Sequence, residues 1–117
     1  MLASYNRLRE RKEFKRVYRR GKSKANDTLV LYFLPNKLEV TRIGFSVSKK
    51  IGNAVERNRV KRRLREICRE NISSIKPGYD IILIARQKIK GIGYQLIEVK
   101  LLKLIERVGL LKTDFGE

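Results

Sequence analysis

The chain has 117 residues, a formal charge of +17, one cysteine and no histidine. That length suits one domain with a modest core, and the charge far exceeds what solubility requires, which favours a polyanionic partner whose bound counterions are released on contact. The cysteine count excludes an internal disulfide framework and suits a reducing compartment, while the missing histidine removes the commonest general base and metal ligand.

The charge is unevenly spread. Residues 1–24 carry ten basic and two acidic side chains, residues 25–48 are neutral, and residues 49–70 carry nine basic against three acidic. Two basic blocks therefore flank a neutral hydrophobic stretch. The longest apolar run, Leu29 to Leu34, is six residues, far short of a membrane span. The N-terminus has no signal-peptide apolar region, and Glu10 and Glu13 argue against a mitochondrial presequence. The expectation is a soluble, cytoplasmic single domain over 1–117, with 1–10 and 110–117 irregular or frayed.

From Arg11 to Arg20 the spacing of Phe14, Val17 and Tyr18 predicts a short helix, with Gly21 as a left-handed stop. An aromatic-apolar stripe runs between basic flanks. Gly21-Lys22-Ser23 is like the tail of a phosphate-binding loop, but Arg16 stands where that loop needs its upstream glycine, so the motif is rejected. Thr28 to Leu34 reads as a strand, and Pro35-Asn36-Lys37 as the connection, hairpin fashion, to a second strand over Arg42 to Ser48. There Ile43, Phe45 and Val47 share the core face, while Gly44, Ser46 and Ser48 form a row of small side chains, a shallow trough. Both faces of the first strand are apolar, Tyr32 lying with Val30 and Leu34 and opposite Leu29, Leu31 and Phe33. Which face meets the helices stays open.

Asn53 with Glu56 three residues later is a capping pair that starts the central helix. At 100° per residue, Leu64, Ile67 and Cys68 fall within about 80° of Val60 and form the buried stripe with it. Asn58, Arg62, Arg65 and Arg69 lie opposite, flanked by Arg59, Lys61 and Glu66. A merely solvated face interleaves acids with bases. Here arginines outnumber nearby acids, and arginine suits bidentate phosphate binding. Pro77-Gly78 turns into a third strand, Tyr79 to Ala85, whose unbroken apolar centre predicts burial on both faces. Strand, helix and buried strand imply a βαβ crossover with parallel pairing. Arg86 and Lys88 follow the strand end, where loops carry contacts. Gly91-Ile92-Gly93 lacks the rest of a dinucleotide fingerprint. The last helix is expected over Tyr94 to Val108, burying Ile97, Leu101, Leu104, Ile105 and Val108, with Gly109 as its stop.

No catalytic set emerges. Cys68 sits in the buried stripe, and the twelve acids are scattered through basic segments, without the paired carboxylates of two-metal nuclease chemistry. The polypeptide reads as a binding module with neither catalytic residues nor metal ligands of its own.

The run Lys49-Lys50-Ile51-Gly52-Asn53-Ala54-Val55-Glu56-Arg57-Asn58-Arg59-Val60-Lys61-Arg62 closely resembles the RNR signature of the protein subunit of bacterial ribonuclease P. Lys12 to Tyr18 with Gly21, Leu31-Tyr32, Gly44 to Ser48, and Tyr79 to Arg86 fall in that family's order as well. The resemblance covers nearly the whole chain. It implies an α+β fold, a two-layer α/β sandwich of the ribosomal protein S5 domain 2-like kind, with a small mixed sheet and an unusual left-handed βαβ crossover. Periodicity could not suggest that hand, because such crossovers are right-handed in about 98% of cases.

The resemblance further implies an endonucleolytic ribonucleoprotein that removes the 5′ leader of precursor tRNA. Its partners are a catalytic RNA subunit and precursor tRNA, and Mg²⁺ is held mainly by the RNA subunit and substrate. By position, Arg57, Asn58, Arg59, Lys61, Arg62 and Arg65 would face the catalytic RNA, with Arg69 continuing their stripe. Phe14, Tyr18 and Tyr32 would line a cleft for the single-stranded leader, with Lys49, Lys50 and Arg86 near its phosphates. Tyr18 stands where phenylalanine is common, which keeps the stacking face and adds a hydroxyl. Nothing is carried over beyond Arg86. The alternative, a structural ribosomal or nucleoid protein, explains the charge but not an aromatic stripe beside a trough. An autonomous protein nuclease ranks third.

Overall fold

Four strands form one sheet in the order β1-β2-β4-β3, where β1 is Lys22–Ala25, β2 Leu29–Pro35, β3 Arg42–Ser46 and β4 Tyr79–Ala85. The structure is a computed structural model and describes residues 2–112. β1 pairs with β2, and β2 with β4, antiparallel; β3 and β4 run parallel. Three helices complete the fold: α1 (Arg11–Arg20), α2 (Ala54–Asn71) and α3 (Tyr94–Arg107). β3, α2 and β4 form the expected parallel βαβ unit, and β4, between β2 and β3, is buried along most of its length. The stretch from β2 to β3 is not a hairpin. β4 lies between them, and the hairpin partner of β2 is β1, four exposed residues with no apolar alternation to mark them as a strand.

The alternation of β2 resolves the open choice of face. Leu29, Leu31 and Phe33 join Ile43, Phe45, Ile81 and Leu83 against the buried stripes of α2 and α3. Tyr32 and Leu34 turn the other way, with Ile82 and Ile84, toward Leu8, Phe14 and Val17. The large core thus lies between the sheet and α2/α3, and the short α1 rests on the opposite face. The buried stripe of α2 is Val60, Leu64, Ile67 and Cys68, as its periodicity predicts. That of α3 is Ile97, Leu101, Leu104 and Ile105, with Gly109 beyond its end at φ +78°.

Two further expectations need correction, and one is sharpened. Gly21 is extended, at φ −79° and ψ 169°, rather than left-handed. Glycine is needed there because a Cβ would sit 2.6 Å from the Val17 carbonyl oxygen and 2.7 Å from that of Phe33. Residues 2–10 lack regular structure beyond a short 3-10 turn, Ser4–Asn6, yet they are packed. Leu2 and Leu8 are buried, the Asn6 amide donates to the Thr41 carbonyl at 2.8 Å, and the Leu8 N–H donates to the Ile43 carbonyl at 3.1 Å. This segment covers the outer edge of β3. Finally, Leu110 to Lys112 are not frayed. Leu110 is buried, Leu111 bridges to Ile75, and the Lys112 N–H donates to the Ser74 carbonyl. The rest of the predicted tail, 113–117, lies outside the described residues.

What fastens α1 to the sheet is polar. Asp80 of β4, fully buried, receives two hydrogen bonds from Arg42 of β3 at 2.9 and 2.8 Å, one from Asn36 at 2.9 Å, and one from Arg16 of α1 at 3.2 Å. Arg42 also donates to Glu13 of α1 at 2.8 Å. Burial alone would raise the Asp80 carboxyl, but the bonds from Arg42, Asn36 and Arg16 outweigh it and hold the group below its ordinary value of 3.8. Its stabilisation is therefore fully present above that value and is lost as the pH falls below it. Asp80→Ala, which strands a half-buried arginine, is expected to lower stability by about 3–5 kcal/mol in urea unfolding. Asp80→Asn should flatten the acid limb of the stability profile, and an unaltered limb would show that the carboxylate is not the titrating group.

Candidate nucleic-acid interface

The first surface is α2. Its start is fixed by reciprocal bonds: the Glu56 N–H donates to the Asn53 side chain, and the Asn53 N–H to the Glu56 carboxylate, both at 2.9 Å. Gly52, at φ +154°, leaves the space that this carboxylate occupies; a Cβ there would collide with Glu56 Oε1. Asn58, Arg59, Arg62, Arg65 and Arg69 are exposed, while Arg57 and Lys61 are half-buried. Among the described residues, Arg57, Arg59, Lys61 and Arg62 have no carboxylate within ion-pairing distance. Arg65 lies over the Phe45 ring, 6.0 Å from its centroid. Arg69 differs. Its guanidinium grips Glu66 through Nε at 3.1 Å and Nη2 at 2.5 Å, with Glu70 at 3.6 Å. Hydrogen bonding from Arg69 lowers the Glu66 pKa. The unpaired stripe therefore ends at Arg65, and Arg69 is its neutralised margin, which the period alone could not reveal.

The second surface lies on the other face of the sheet. Register alignment sets Ser23, Tyr32, Ile82 and Gly44 in one row across the four strands, and Ala25, Val30, Ile84 and Ser46 in the next. Small side chains occupy both edges, so the floor is low at its margins. Above it stand three rings. Phe14 and Tyr18 are 6.3 Å apart, and Tyr18 meets Tyr32 edge-on at 5.0 Å. Phe14 sits directly over Gly44, where any Cβ would strike the far end of its ring. Tyr18 remains 39% exposed. Its partial burial raises the phenol pKa, against the opposing pull of the Ser46 hydroxyl.

Lys49, Lys50 and Arg86 are all exposed. Because β3 and β4 are parallel, the segments that follow them emerge at the same end of the sheet. Ser48, Lys50, Arg86, Gln87 and Lys88 line a single depression there, with Asp27 opposite. Gln87 donates to the Lys50 carbonyl at 3.3 Å, joining the two segments. Arg86 is tied back by a 2.7 Å bond to the Asn26 carbonyl. Lys88, outside the candidate set, joins this rim.

The two candidate sets are thus kept apart, the α2 stripe on one side of the sheet and the rings on the other. They meet at the β3 edge, where Phe14, Lys61 and Arg65 line one groove together with Arg7 and Arg9. Those last two arginines carry no signal in the sequence, because the segment that holds them shows no periodicity. Cys68 is enclosed, and burial pushes its thiol up to about 12, which suits a core residue rather than a nucleophile. No group of three or more metal-ligating side chains occurs among the described residues, and no helix there is long and apolar enough to cross a membrane.

The fit of Phe14 to Gly44 can be tested by a cycle of substitutions. Gly44→Ala is expected to cost about 1–3 kcal/mol and to displace the ring in nuclear Overhauser contacts with β3. In a Phe14→Leu background the same change should cost less; strict additivity would show that the ring does not depend on the missing Cβ.

Comparison with known proteins follows the same lines. The sequence profile of the Ribonuclease P family matches residues 2–109. The ribonuclease P protein component of Alkaliphilus metalliredigens is 46% identical over 110 residues, spanning 94% of this chain and 99% of that one. The component from Clostridium novyi is 49% identical over 106 residues, spanning 89% and 94%. The RNase P protein of Staphylococcus aureus superposes with a TM-score of 0.85 at 38% identity, covering 92% of this chain and 98% of that one. That of Thermotoga maritima gives 0.81 at 37%, covering 86% and 96%. The family profile and these relatives cover nearly the whole chain, its four-stranded mixed sheet and three helices included, and the chain belongs to the ribonuclease P protein family.

Proposed function

We propose that the chain docks on the catalytic RNA of ribonuclease P through the unpaired face of α2, and holds the 5′ leader of precursor tRNA on the far face of the sheet. The observation that carries this reading is the cluster of Phe14, Tyr18 and Tyr32 over a floor edged by Gly44 and Ser46, with one ring left exposed. Rings that serve only as core are buried. Rings over a low floor with cations at one end suit unpaired bases, each stacked base contributing roughly 1–3 kcal/mol with little regard to sequence. A subunit serving many leaders needs that tolerance.

Among the described residues, the donor set does not suit Mg²⁺, which prefers several oxygen ligands in octahedral array. Asp80 and Glu13 are engaged by Arg42, Glu66 by Arg69, Asp27 by Lys100, and Glu56 by the α2 cap and Lys90. We therefore assign Mg²⁺ to the RNA subunit and substrate, where it supplies the Lewis acidity for phosphodiester hydrolysis. The contribution of this chain is to screen phosphate repulsion between the two RNAs and to orient the leader. Membership of the family leaves the structural ribosomal or nucleoid alternative without support.

Reconstitution with a cognate catalytic RNA is expected to stimulate leader removal most strongly at low Mg²⁺; a lack of stimulation there would sink the proposal. Phe14→Ala and Tyr32→Ala should weaken binding of leader-bearing tRNA by roughly 5- to 150-fold each, as the loss of one stacked base requires, while mature tRNA is bound as before. An equal loss for both tRNAs would mean that the rings act only as core.

A further inference from the structure

At the outer edge of β3, a groove of about 350 Å³ is lined by Arg7, Arg9, Lys61 and Arg65 together with Phe14 and Phe45. It stands at the small end of ligand-sized cavities, room for one compact group rather than a strand. Four cations converge there, and no carboxylate lines it. None of the four forms an ion pair among the described residues. Arg9 has only the Ser4 hydroxyl at 3.3 Å, and Arg65 only the Phe45 ring.

Arg7 makes the groove more than a charged surface. Its Nε is buried and donates to nothing, the one such side-chain atom among the described residues. The backbone cannot relieve this by moving aside, because Arg7 is bridged to Ile43 and the next N–H donates to the Ile43 carbonyl. Folds retain an orphaned charged donor where a ligand supplies the acceptor. Crowded guanidinium groups likewise repel one another until an anion enters.

We propose that this groove seats a single RNA phosphodiester, whose oxygen accepts from Arg7 Nε–H and whose charge is neutralised by Arg9, Lys61 and Arg65, with the edges of Phe14 and Phe45 against the ribose. The site rests on the RNA-docking reading above and extends it. Lys61 and Arg65 belong to the α2 stripe and Phe14 to the ring cluster, so the bound phosphate marks the point where the two RNA surfaces join.

The test is the salt dependence of two titrations, full-length protein with cognate catalytic RNA, and holoenzyme with leader-bearing precursor tRNA. Arg7→Ala and the exposed Arg9→Ala are each expected to reduce the slope of log affinity against log salt by about 1. Arg7→Lys should keep the slope yet bind several-fold more weakly, since it restores charge without the Nε–H. A reduced slope in the first titration assigns the phosphate to the catalytic RNA; a reduction confined to the second assigns it to the leader. Unchanged slopes in both, with Arg9→Ala melting like wild type, overturn the groove as a phosphate seat. Wild-type protein that binds catalytic RNA without salt dependence would instead overturn the docking reading itself.

Discussion

A single buried carboxylate decides where the rings stand. Asp80 lies in the central strand of the sheet, out of contact with water, and is tolerable only because Arg42, Asn36 and Arg16 surround it. Two of the groups in this network, Arg16 and Glu13, belong to α1, a ten-residue helix that buries fully only Val17. Apolar area alone would hold so short a helix loosely and in several rotations. Directional bonds to a fixed carboxylate and to Arg42 select one rotation, the one that turns Phe14 over Gly44 and Tyr18 toward Tyr32. Polar fastening leaves the rest of the sheet face uncovered, which a larger apolar helix would not.

The two faces of the sheet therefore follow different physical rules. Between the sheet and α2/α3 the side chains are aliphatic and closed to solvent, a core that supplies stability. On the α1 side the apolar cluster is small, and rings, small residues and cations are left accessible. The closed aliphatic core and the accessible ring face are segregated by the strict alternation of side chains along β2, β3 and β4. A one-residue slip of β4 against its neighbours would bring Asp80 into the aliphatic core and turn Ile81 toward α1, so the register also fixes which face carries the rings.

Features set by neighbours in sequence were legible. The Asn53–Glu56 cap, the Val60-Leu64-Ile67-Cys68 stripe and the Ile43-Phe45-Val47 alternation all depend on spacings of a few residues, and each appears in the fold as read. Features set by distant contacts were not. Lys22 to Ala25 has no apolar pattern and becomes a strand only because β2 offers an edge to pair with. Gly21 reads as a helix stop, but its reason is the Phe33 carbonyl across that hairpin. The partners of Asp80 come from positions 38, 44 and 64 residues away, beyond any periodicity. Arg69 kept the right direction on its helix yet lost its free charge to Glu66, because a helical wheel records angle and not pairing.

β1 carries one further consequence. An open strand edge is a template on which a second copy can add its own strand, and a sheet protein at high concentration is exposed to that fate. Lys22 and Lys24 project from the same side of this edge, and Ser23 and Ala25 from the other, all four exposed. Two such edges brought together would set ammonium against ammonium with no acid between them, while the small side chains would offer no apolar area in return. Those lysines thus act as a guard against self-association through this edge.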